Sequence, residues 1–220
     1  MNLLRAFRDG IGYALDAVFP PRAREMRTRS RALADIPLTL ETHDLLRMRV
    51  TTLMEYKRPE VQDLIRALKY DGSRHAAALA ADVLADYLRE ELASVRSFSP
   101  RRILLVPVPL HRERQRERGF NQIELVLRAL PEEMRAGHLA HVEPHALVRS
   151  RATPKQTHLS RQERLSNVAG AFEVRDAGAI RGTHVYLLDD VTTTGATLVH
   201  AAAPLRHAGA KVTLLALARA

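Results

Sequence analysis

The stretch VYLLDDVTTTGAT occupies residues 185–197 and carries most of the information about the fold. Its first four residues are apolar, as in a strand that is buried on both faces of a parallel sheet. Asp189 and Asp190 follow at the carboxyl end of that strand, where open α/β sheets bind their ligands. A hydroxyl-rich turn then leads into an apolar helical pattern, and the N–H groups at a helix N-terminus bind anions. We therefore predict a strand, turn and helix that hold a phosphate beside two carboxylates.

The same stretch resembles the loop with which type I phosphoribosyltransferases bind phosphoribosyl pyrophosphate (PRPP). The family pattern is an apolar strand, two acidic residues, a short apolar step and then Thr-Thr-Gly-x-Thr. Gly195 suits this pattern because a glycine lets the backbone approach a phosphate closely. Thr192 departs from it, since the family usually has Leu or Ile at that position. The alternative is an ordinary strand, turn and helix whose Asp and Thr side chains only cap the helix.

The composition limits the class of protein. A chain of 220 residues, 46% of them hydrophobic, can form one good-sized domain, alone or with a small appendage. It has no cysteine, which excludes disulfides and thiolate zinc sites and favours the reducing cytoplasm. No apolar run approaches the roughly 20 residues of a membrane span, and charged residues interrupt any signal peptide. The net charge of +9 favours anionic partners, whereas 5% aromatic residues give little support for base stacking.

The amino-terminal part is predicted to differ from the rest. Apolar residues at three- and four-residue steps indicate an amphipathic helix over residues 2–18, which packs on its own domain or docks on a partner or membrane surface. Residues 22–48 are rich in arginine and weakly patterned, so we interpret them as a linker or an irregular cover. This divides the chain into residues 1–48, a helix with a linker or cover, and residues 49–220, a phosphoribosyltransferase-like domain.

Strands and helices are predicted to alternate after residue 50, which indicates an α/β fold with a mainly parallel sheet flanked by helices. The proline and glycine positions set several of the boundaries. The predicted strands are residues 51–56, as an edge strand, 103–106, 145–149, 172–174, 185–188 and 212–217. The predicted helices are residues 59–70, 76–92, 123–130 and 196–208, the last kinked or shortened by Pro204.

Three further groups of segments narrow the resemblance. They are Val106–Leu110 with Arg118–Gln122, then Thr153–Gln156 with Leu159–Val168 and Gly170–Phe172, and Leu68–Tyr70 near a glycine. Together with the stretch at residues 185–197, they resemble the ComF family of competence-associated, phosphoribosyltransferase-like proteins over about residues 50–219. Members of that family often carry a four-cysteine zinc module after a helix that ends in Phe-Pro. Phe19 and Pro20 are present here without any cysteine, so we expect no zinc.

The resemblance implies a role for each residue of the stretch. Asp189 and Asp190 hold the two ribose hydroxyls and steady a Mg²⁺ ion indirectly, through the substrate. The residues that cradle the 5′-phosphate are Thr193, Thr194, Gly195, Ala196 and Thr197. Mg²⁺ keeps several waters and takes few protein ligands, so we expect it to bind largely through PRPP.

Two basic segments are implied to bind the pyrophosphate. The first is residues 108–122, where Arg118 is the strongest candidate and Arg112, Arg114 and Arg116 are weaker ones; alternating Arg and Glu is also typical of a solvated helix face. The second is a loop over residues 150–168 that closes over the site, with Lys155, Arg161 and Arg164 as candidates to stabilise the leaving group. Its alternative is a basic surface loop. Lys69 is a further candidate to reach the site.

Three functions remain open at this point. The first is a phosphoribosyltransferase that uses Mg²⁺ and PRPP on an unknown acceptor base. The second is a binding module that senses PRPP or a nucleotide without turnover, which the lack of an evident general base favours. The third, implied by the family, is an accessory factor in DNA uptake. The predicted partners are therefore PRPP or a nucleotide, single-stranded DNA or DNA-uptake proteins, and a second copy in a homodimer.

Overall fold

The computed structural model describes residues 23–99, 101–149 and 170–220. Its strands are β1 (Leu38–Leu45), β2 (Met48–Glu55), β3 (Ile103–Pro107), β4 (His141–Val142), β5 (Leu147–Arg149), β6 (Phe172–Val174), β7 (His184–Thr192) and β8 (Lys211–Arg219). Its α-helices are α1 (Ala23–Arg29), α2 (Pro59–Arg66), α3 (Arg74–Phe98), α4 (Arg112–Arg118), α5 (Gln122–Ala129), α6 (Glu132–Arg135), α7 (Ala177–Ile180) and α8 (Ala196–His207). A 3₁₀ turn at Leu33–Asp35 and a π turn at Ala67–Asp71 complete the described elements.

The described strands form a six-stranded sheet in the order β1-β2-β8-β7-β3-β4 and a separate antiparallel pair, β5-β6. Within the large sheet, β1 runs antiparallel to β2, and every other neighbouring pair is parallel. Helices connect the parallel strands and cover the faces of the sheet, as such crossovers require. The predicted α/β class with a mainly parallel sheet is therefore confirmed.

The strand β7, which contains the apolar run of the stretch at residues 185–197, lies inside the sheet between β3 and β8. Its side chains alternate between the two faces because successive residues of a strand point in opposite directions. Val185 and Leu187 belong to a core layer that includes Leu198 of α8. Tyr186 and Leu188 belong to the other layer, which is formed with α2, α3 and α5. The continuous apolar run is thus explained by burial on both faces.

The helix predicted at residues 59–70 changes geometry in its last turn. After α2 ends at Arg66, the helix widens into the π turn, and Gly72 ends it with a left-handed φ of 58°. A Cβ atom at Gly72 would lie 3.1 Å from the Phe120 ring, so that ring packs directly on the backbone of the turn. Single π turns of this kind are frequent at functional sites. This one carries Lys69 and Tyr70.

Two predictions for the amino-terminal half are wrong. Residues 51–56 are not an edge strand, because β2 lies between β1 and β8, and β1 is the edge strand among the described residues. Residues 23–48 are not an irregular cover, because they form α1, the 3₁₀ turn and β1. No residue of β1 is buried, so it lacks an alternating apolar signal. The division of the chain at residue 48 stays a prediction, although the β1–β2 hairpin crosses it.

Other predicted elements agree with the structure, with small shifts in their ends. The helix α8 continues through Pro204 to His207 rather than stopping earlier, and Gly209 follows it with a φ of 92°. The helix α3 extends beyond the predicted residues 76–92 at both ends. Across the three described ranges, no helix combines the length and the apolar character needed to cross a membrane.

An ion-pair cluster fastens α1 to α2. The carboxylate of Asp63 is 7% exposed and accepts hydrogen bonds from Arg27 Nε at 2.8 Å and Nη2 at 2.9 Å, and from Arg31 Nη2 at 3.2 Å. These guanidinium groups, Arg27 first, hold the pKa of Asp63 below its usual range, against the opposing effect of burial. The contribution to stability is therefore present above the ordinary carboxyl pKa near 4 and lost as the pH falls below it.

The Asp63→Asn variant tests this cluster. We expect it to lower the free energy of unfolding at pH 7 by about 1–3 kcal/mol, because it weakens hydrogen bonds to a charged group. The matched control is Asp86→Asn on α3, where the partner Arg89 lies three residues away at an exposed site, so the change stays within about 0.5 kcal/mol. Denaturant unfolding at pH 7 and pH 3.5 measures both. An equal loss in the two variants would contradict the assignment.

Candidate functional site

The segments after β3 and β7 meet at one edge of the sheet. Pro107 and Leu188 are paired in the parallel register, and the Val108 N–H donates a hydrogen bond to the Leu188 carbonyl at 2.8 Å. Carboxyl ends of neighbouring parallel strands form the ligand-binding edge of open α/β sheets. The segment at residues 108–122 therefore lies beside the stretch at residues 189–197, as the sequence predicts.

An open cavity of about 70 Å³ lies where β7 turns into α8. Its lining contains all five residues predicted to cradle a phosphate, together with one of the two predicted carboxylates: Asp189, Val191, Thr192, Thr193, Thr194, Gly195, Ala196 and Thr197. The N-cap residue of the helix is Gly195, and the N–H of the first helical residue, Ala196, donates to the Thr194 hydroxyl at 3.4 Å. The arrangement offers N–H groups and hydroxyls to an anion at a helix N-terminus.

Gly195 is required by the shape of this turn. It has a left-handed φ of 76°, and a Cβ atom at this position would lie 2.8 Å from the Cβ of Leu45. Leu45 is the last residue of β1, so the edge strand packs against the back of the turn. The absence of a side chain at Gly195 therefore serves two purposes, because it allows the backbone conformation and makes room for Leu45.

Asp189 is the carboxylate that borders the cavity. Burial, followed by the neighbouring charge of Asp190, raises the pKa of Asp189 to about 7. A hydrogen bond at 2.8 Å from the Asp190 N–H, and the charges of Lys69 and Arg114, act in the opposite direction. A carboxyl with this pKa is only partly ionised near neutrality, so hydroxyl donors or a cation would favour its ionised form.

Asp190 points to the opposite face of β7 and is 4% exposed. Its Oδ1 lies 2.9 Å from the Nζ of Lys69 in the π turn, and its Oδ2 accepts a short hydrogen bond from Gln122 at the start of α5. Lys69 therefore contacts one of the two predicted carboxylates, and its role in a ligand site stays a prediction. Both oxygens of Asp190 therefore have protein partners, whereas Asp189 faces the cavity; a role for both in holding ribose hydroxyls stays a prediction.

Arg118 extends the same network at the end of α4. Its Nη1 donates to Gln122 Oε1 at 3.1 Å, and its guanidinium carbon lies 5.4 Å from the centre of the Tyr70 ring. The neighbouring Asn121 caps α5 by accepting from the Ile123 N–H at 3.0 Å and donates to the Val108 carbonyl at 3.0 Å. The segment that resembles the family motif is thus held against β3, with Arg118 near Asp190 through one intervening side chain.

The remaining predicted arginines are less clearly placed at the site. Arg114 and Arg116 are exposed on α4, and the charge of Arg114 acts on Asp189. The side chain of Arg112 lies outside the described part of the structure. Lys155, Arg161 and Arg164, with the whole loop predicted at residues 150–168, also lie outside the described residues. Their roles stay predictions.

Sequence comparison gives the relatives of the chain. No protein-family model matches it. It is 32% identical over 163 residues to the DNA utilization protein YhgH of Escherichia coli (strain K12), which covers 74% of this chain and 67% of that protein. The chain belongs to the ComF family. The competence protein ComFC of Bacillus subtilis (strain 168) is 37% identical over 112 residues, 51% of this chain and 42% of that protein. ComFC of Streptococcus pneumoniae (strain ATCC BAA-255 / R6) is 30% identical over 151 residues, 69% of this chain and 59% of that protein.

Arg149 is a residue near the ComF-family site that sequence reasoning missed. It ends β5, and its guanidinium carbon lies 5.3 Å from the centre of the Phe172 ring. Burial and then the charge of Arg114 lower the pKa of Arg149, whereas the charge of Asp189 raises it. The available signal was an arginine at the carboxyl end of a predicted strand, directly before a basic loop. The charges of Arg149 on β5, Arg114 on α4 and Asp189 on β7 therefore influence one another at this edge of the sheet.

The fit of Mg²⁺ to this ComF-family site rests on the chemistry of the donors. Asp189 supplies a carboxylate at the cavity, and the neighbouring threonines supply hydroxyls. Such a set suits an ion that keeps most of its waters and binds through a phosphorylated substrate. Within the described residues, no three His, Asp or Glu side chains gather into a metal site of their own.

The Gly195→Ala variant tests the contact between β1 and the turn. We expect it to lower the free energy of unfolding by about 1–3 kcal/mol more than Gly182→Ala does, because both glycines have a left-handed φ but only Gly195 is in contact with another side chain. A second replacement, Leu45→Gly, removes both contacting carbons, so the double variant should be more stable than the sum of the two single changes predicts. Thermal unfolding of the wild type, the two single variants, the double variant and Gly182→Ala measures the coupling. Equal losses in the two glycine variants would contradict the contact.

Proposed function

We propose that this ComF-family chain acts in the uptake or utilization of DNA, and that its cavity binds a ribose 5-phosphate compound, either PRPP or a nucleotide, with Mg²⁺. The observation that supports the site is the lining of one cavity by Asp189 and by the glycine-containing turn at the start of α8. The role in DNA metabolism is proposed from the printed names of the relatives, a DNA utilization protein and competence proteins.

The electrostatics of the chain support an anionic ligand. The turn at residues 193–197 presents N–H groups and hydroxyls to the cavity, and these suit a phosphate. The Asp189 carboxylate accepts hydrogen bonds and suits a sugar hydroxyl. The charges of Arg114 and Arg149 interact with that of Asp189, and guanidinium groups suit pyrophosphate oxygens. The net charge of +9 favours the approach of any such anion.

Transfer of the phosphoribosyl group to an unknown acceptor base is the second candidate. The arginines near Asp189 favour it, because they would stabilise a departing pyrophosphate. We propose that Lys155, Arg161 and Arg164 of the predicted closing loop assist in the same way. Among the described residues that line the cavity, Asp189 is the single ionisable group, and Asp190 is already paired with Lys69. This arrangement favours binding over turnover.

Calorimetric titration of Mg²⁺ with PRPP tests the site. We expect binding to the wild type in the micromolar range, and a loss of about 10- to 150-fold in Asp189→Asn, which removes a charged hydrogen-bond acceptor. Asp86→Asn is the control, since it removes the same charge from an exposed position on α3. If neither the wild type nor the control binds PRPP or a nucleotide, the ribose-phosphate part of the proposal is overturned.

The two candidate activities differ in what they release. Transfer produces pyrophosphate from PRPP when the acceptor base is added, so a panel of bases with a pyrophosphate assay separates turnover from binding.

The role in DNA utilization needs a cellular test: a strain that lacks the gene is complemented with the wild type or with Asp189→Asn. The strains with and without the gene are compared for growth on DNA as a nutrient and for transformation. If they are equal in both, the DNA part of the proposal is overturned.

The pH dependence of binding follows from Asp189. Because ligand hydroxyls and Mg²⁺ favour the ionised carboxylate and the pKa of Asp189 is raised to about 7, we expect affinity to increase as the pH rises from 6 to 8. The ionisation of the ligand phosphate near pH 6 contributes equally to every protein variant. Titrations of the wild type and of Asp189→Asn across this range measure the difference. A parallel pH profile in the two proteins would contradict this assignment.

A further inference from the structure

Tyr70 and Arg118 form a pair at the edge of the candidate site. The Arg118 guanidinium carbon lies 5.4 Å from the centre of the Tyr70 ring, within the range of a cation–π contact. Tyr70 is 56% exposed, more than any other aromatic residue whose side chain the structure describes. An exposed aromatic ring that is held by a guanidinium is a surface on which a planar group can stack.

The ring is fixed relative to the site by two elements. Tyr70 follows Lys69 in the π turn, and the Lys69 ammonium contacts Asp190 at 2.9 Å. Arg118 reaches the same carboxylate through Gln122, which bonds to both. The turn itself is tightly packed, since a Cβ at Gly72 would meet the Phe120 ring at 3.1 Å. Tyr70 is therefore connected to the carboxyl end of β7 in two ways, through its neighbour Lys69 and through Arg118 with Gln122.

Side chains along β7 alternate between the two faces of the strand, so neighbouring residues can contact different parts of one ligand. Asp189 borders the phosphate-binding turn on one face of the strand, whereas Asp190 and its partners lie on the other face. A ligand lying across the end of β7 would have its phosphate in the turn, its ribose over the two aspartates and its third part on the side of Asp190. Tyr70 and Arg118 are on that side. The planar part of a nucleotide is its base.

We propose that the Tyr70 ring, held by Arg118, stacks on the nucleobase of the ribose 5-phosphate ligand. This proposal rests on the function proposed above. The ligand is then a compound with both a base and a 5′-phosphate, rather than PRPP alone. Stacking does not depend on which base is present, because every base has a π face. The low aromatic content of the chain fits this scheme, since a single ring at the site takes one base and does not follow a long single strand.

The experiment compares three ligands by calorimetry with Mg²⁺ present: ribose 5-phosphate, a deoxynucleoside 5′-monophosphate and a 5′-phosphorylated single-stranded oligonucleotide. We expect the wild type to bind a base-containing ligand more tightly than ribose 5-phosphate. In Tyr70→Ala this preference should fall by about 5- to 140-fold, the equivalent of about 1–3 kcal/mol per stacked base. Tyr70→Phe keeps the ring and should retain the preference. Leu40→Ala on β1, also a truncation of an exposed large side chain, is the matched control.

The outcomes separate base stacking on Tyr70 from the proposed function. If ribose 5-phosphate binds as tightly as both base-containing ligands, or if Tyr70→Ala keeps the preference, base stacking on Tyr70 is overturned and the ribose-phosphate site stands. If Tyr70→Ala weakens the base-containing ligands but Asp189→Asn leaves their affinity unchanged, the proposed ribose-phosphate site is overturned, and with it the assignment of Tyr70 to a ligand of that site. Dependence on Tyr70 with the mononucleotide supports a free nucleotide as ligand, and dependence with the oligonucleotide alone supports the end of a DNA strand. Circular dichroism verifies that each variant is folded.

Discussion

The ion pair between Lys69 and Asp190 connects the parts of this protein that matter for its site. It joins the π turn after α2 to the end of β7, and Gln122 adds the start of α5 to the same carboxylate. A carboxylate that is 4% exposed would be costly without such partners, since removal of one member of a buried pair typically costs about 3–5 kcal/mol. Because Asp190 is satisfied from inside, the adjacent Asp189 remains available at the cavity.

The two neighbouring carboxylates therefore have different environments although they are identical in chemistry. Asp190 is held by a cation and an amide, whereas Asp189 has its pKa raised by burial and by the charge next to it. Paired acidic residues with divergent environments commonly take different roles in one site. In this fold the difference arises from a simple geometric fact, the alternation of side chains along β7. Asp190 is bonded to side chains of the protein, whereas Asp189 borders the cavity.

The sequence predicted the α/β class and the strand, turn and helix that line the cavity because these depend on local patterns. The apolar run before Asp189 and the glycine in the following turn identify strand, turn and helix without further information. The sequence named Lys69 as a candidate for the site but did not predict its contact with Asp190, because that contact depends on a π turn that the helical pattern does not indicate. The edge strand β1 was missed because none of its residues is buried. Its hairpin turn uses Leu46 and Arg47 at positive φ, so no glycine marks it. Arg149 was missed because its role depends on neighbours from distant segments.

The packing of Leu45 against Gly195 links an exposed edge strand to the turn that faces the cavity. Two sites that stabilise each other's conformation share one coupling free energy, and the coupling is reciprocal. A ligand that orders the turn would then also protect β1 from fraying, and fraying of β1 would weaken the ligand. Exposed edges are ordinarily where a sheet is least stable. In this ComF-family protein, the hydrogen-exchange protection of the β1–β2 hairpin would therefore rise when a ligand occupies the cavity.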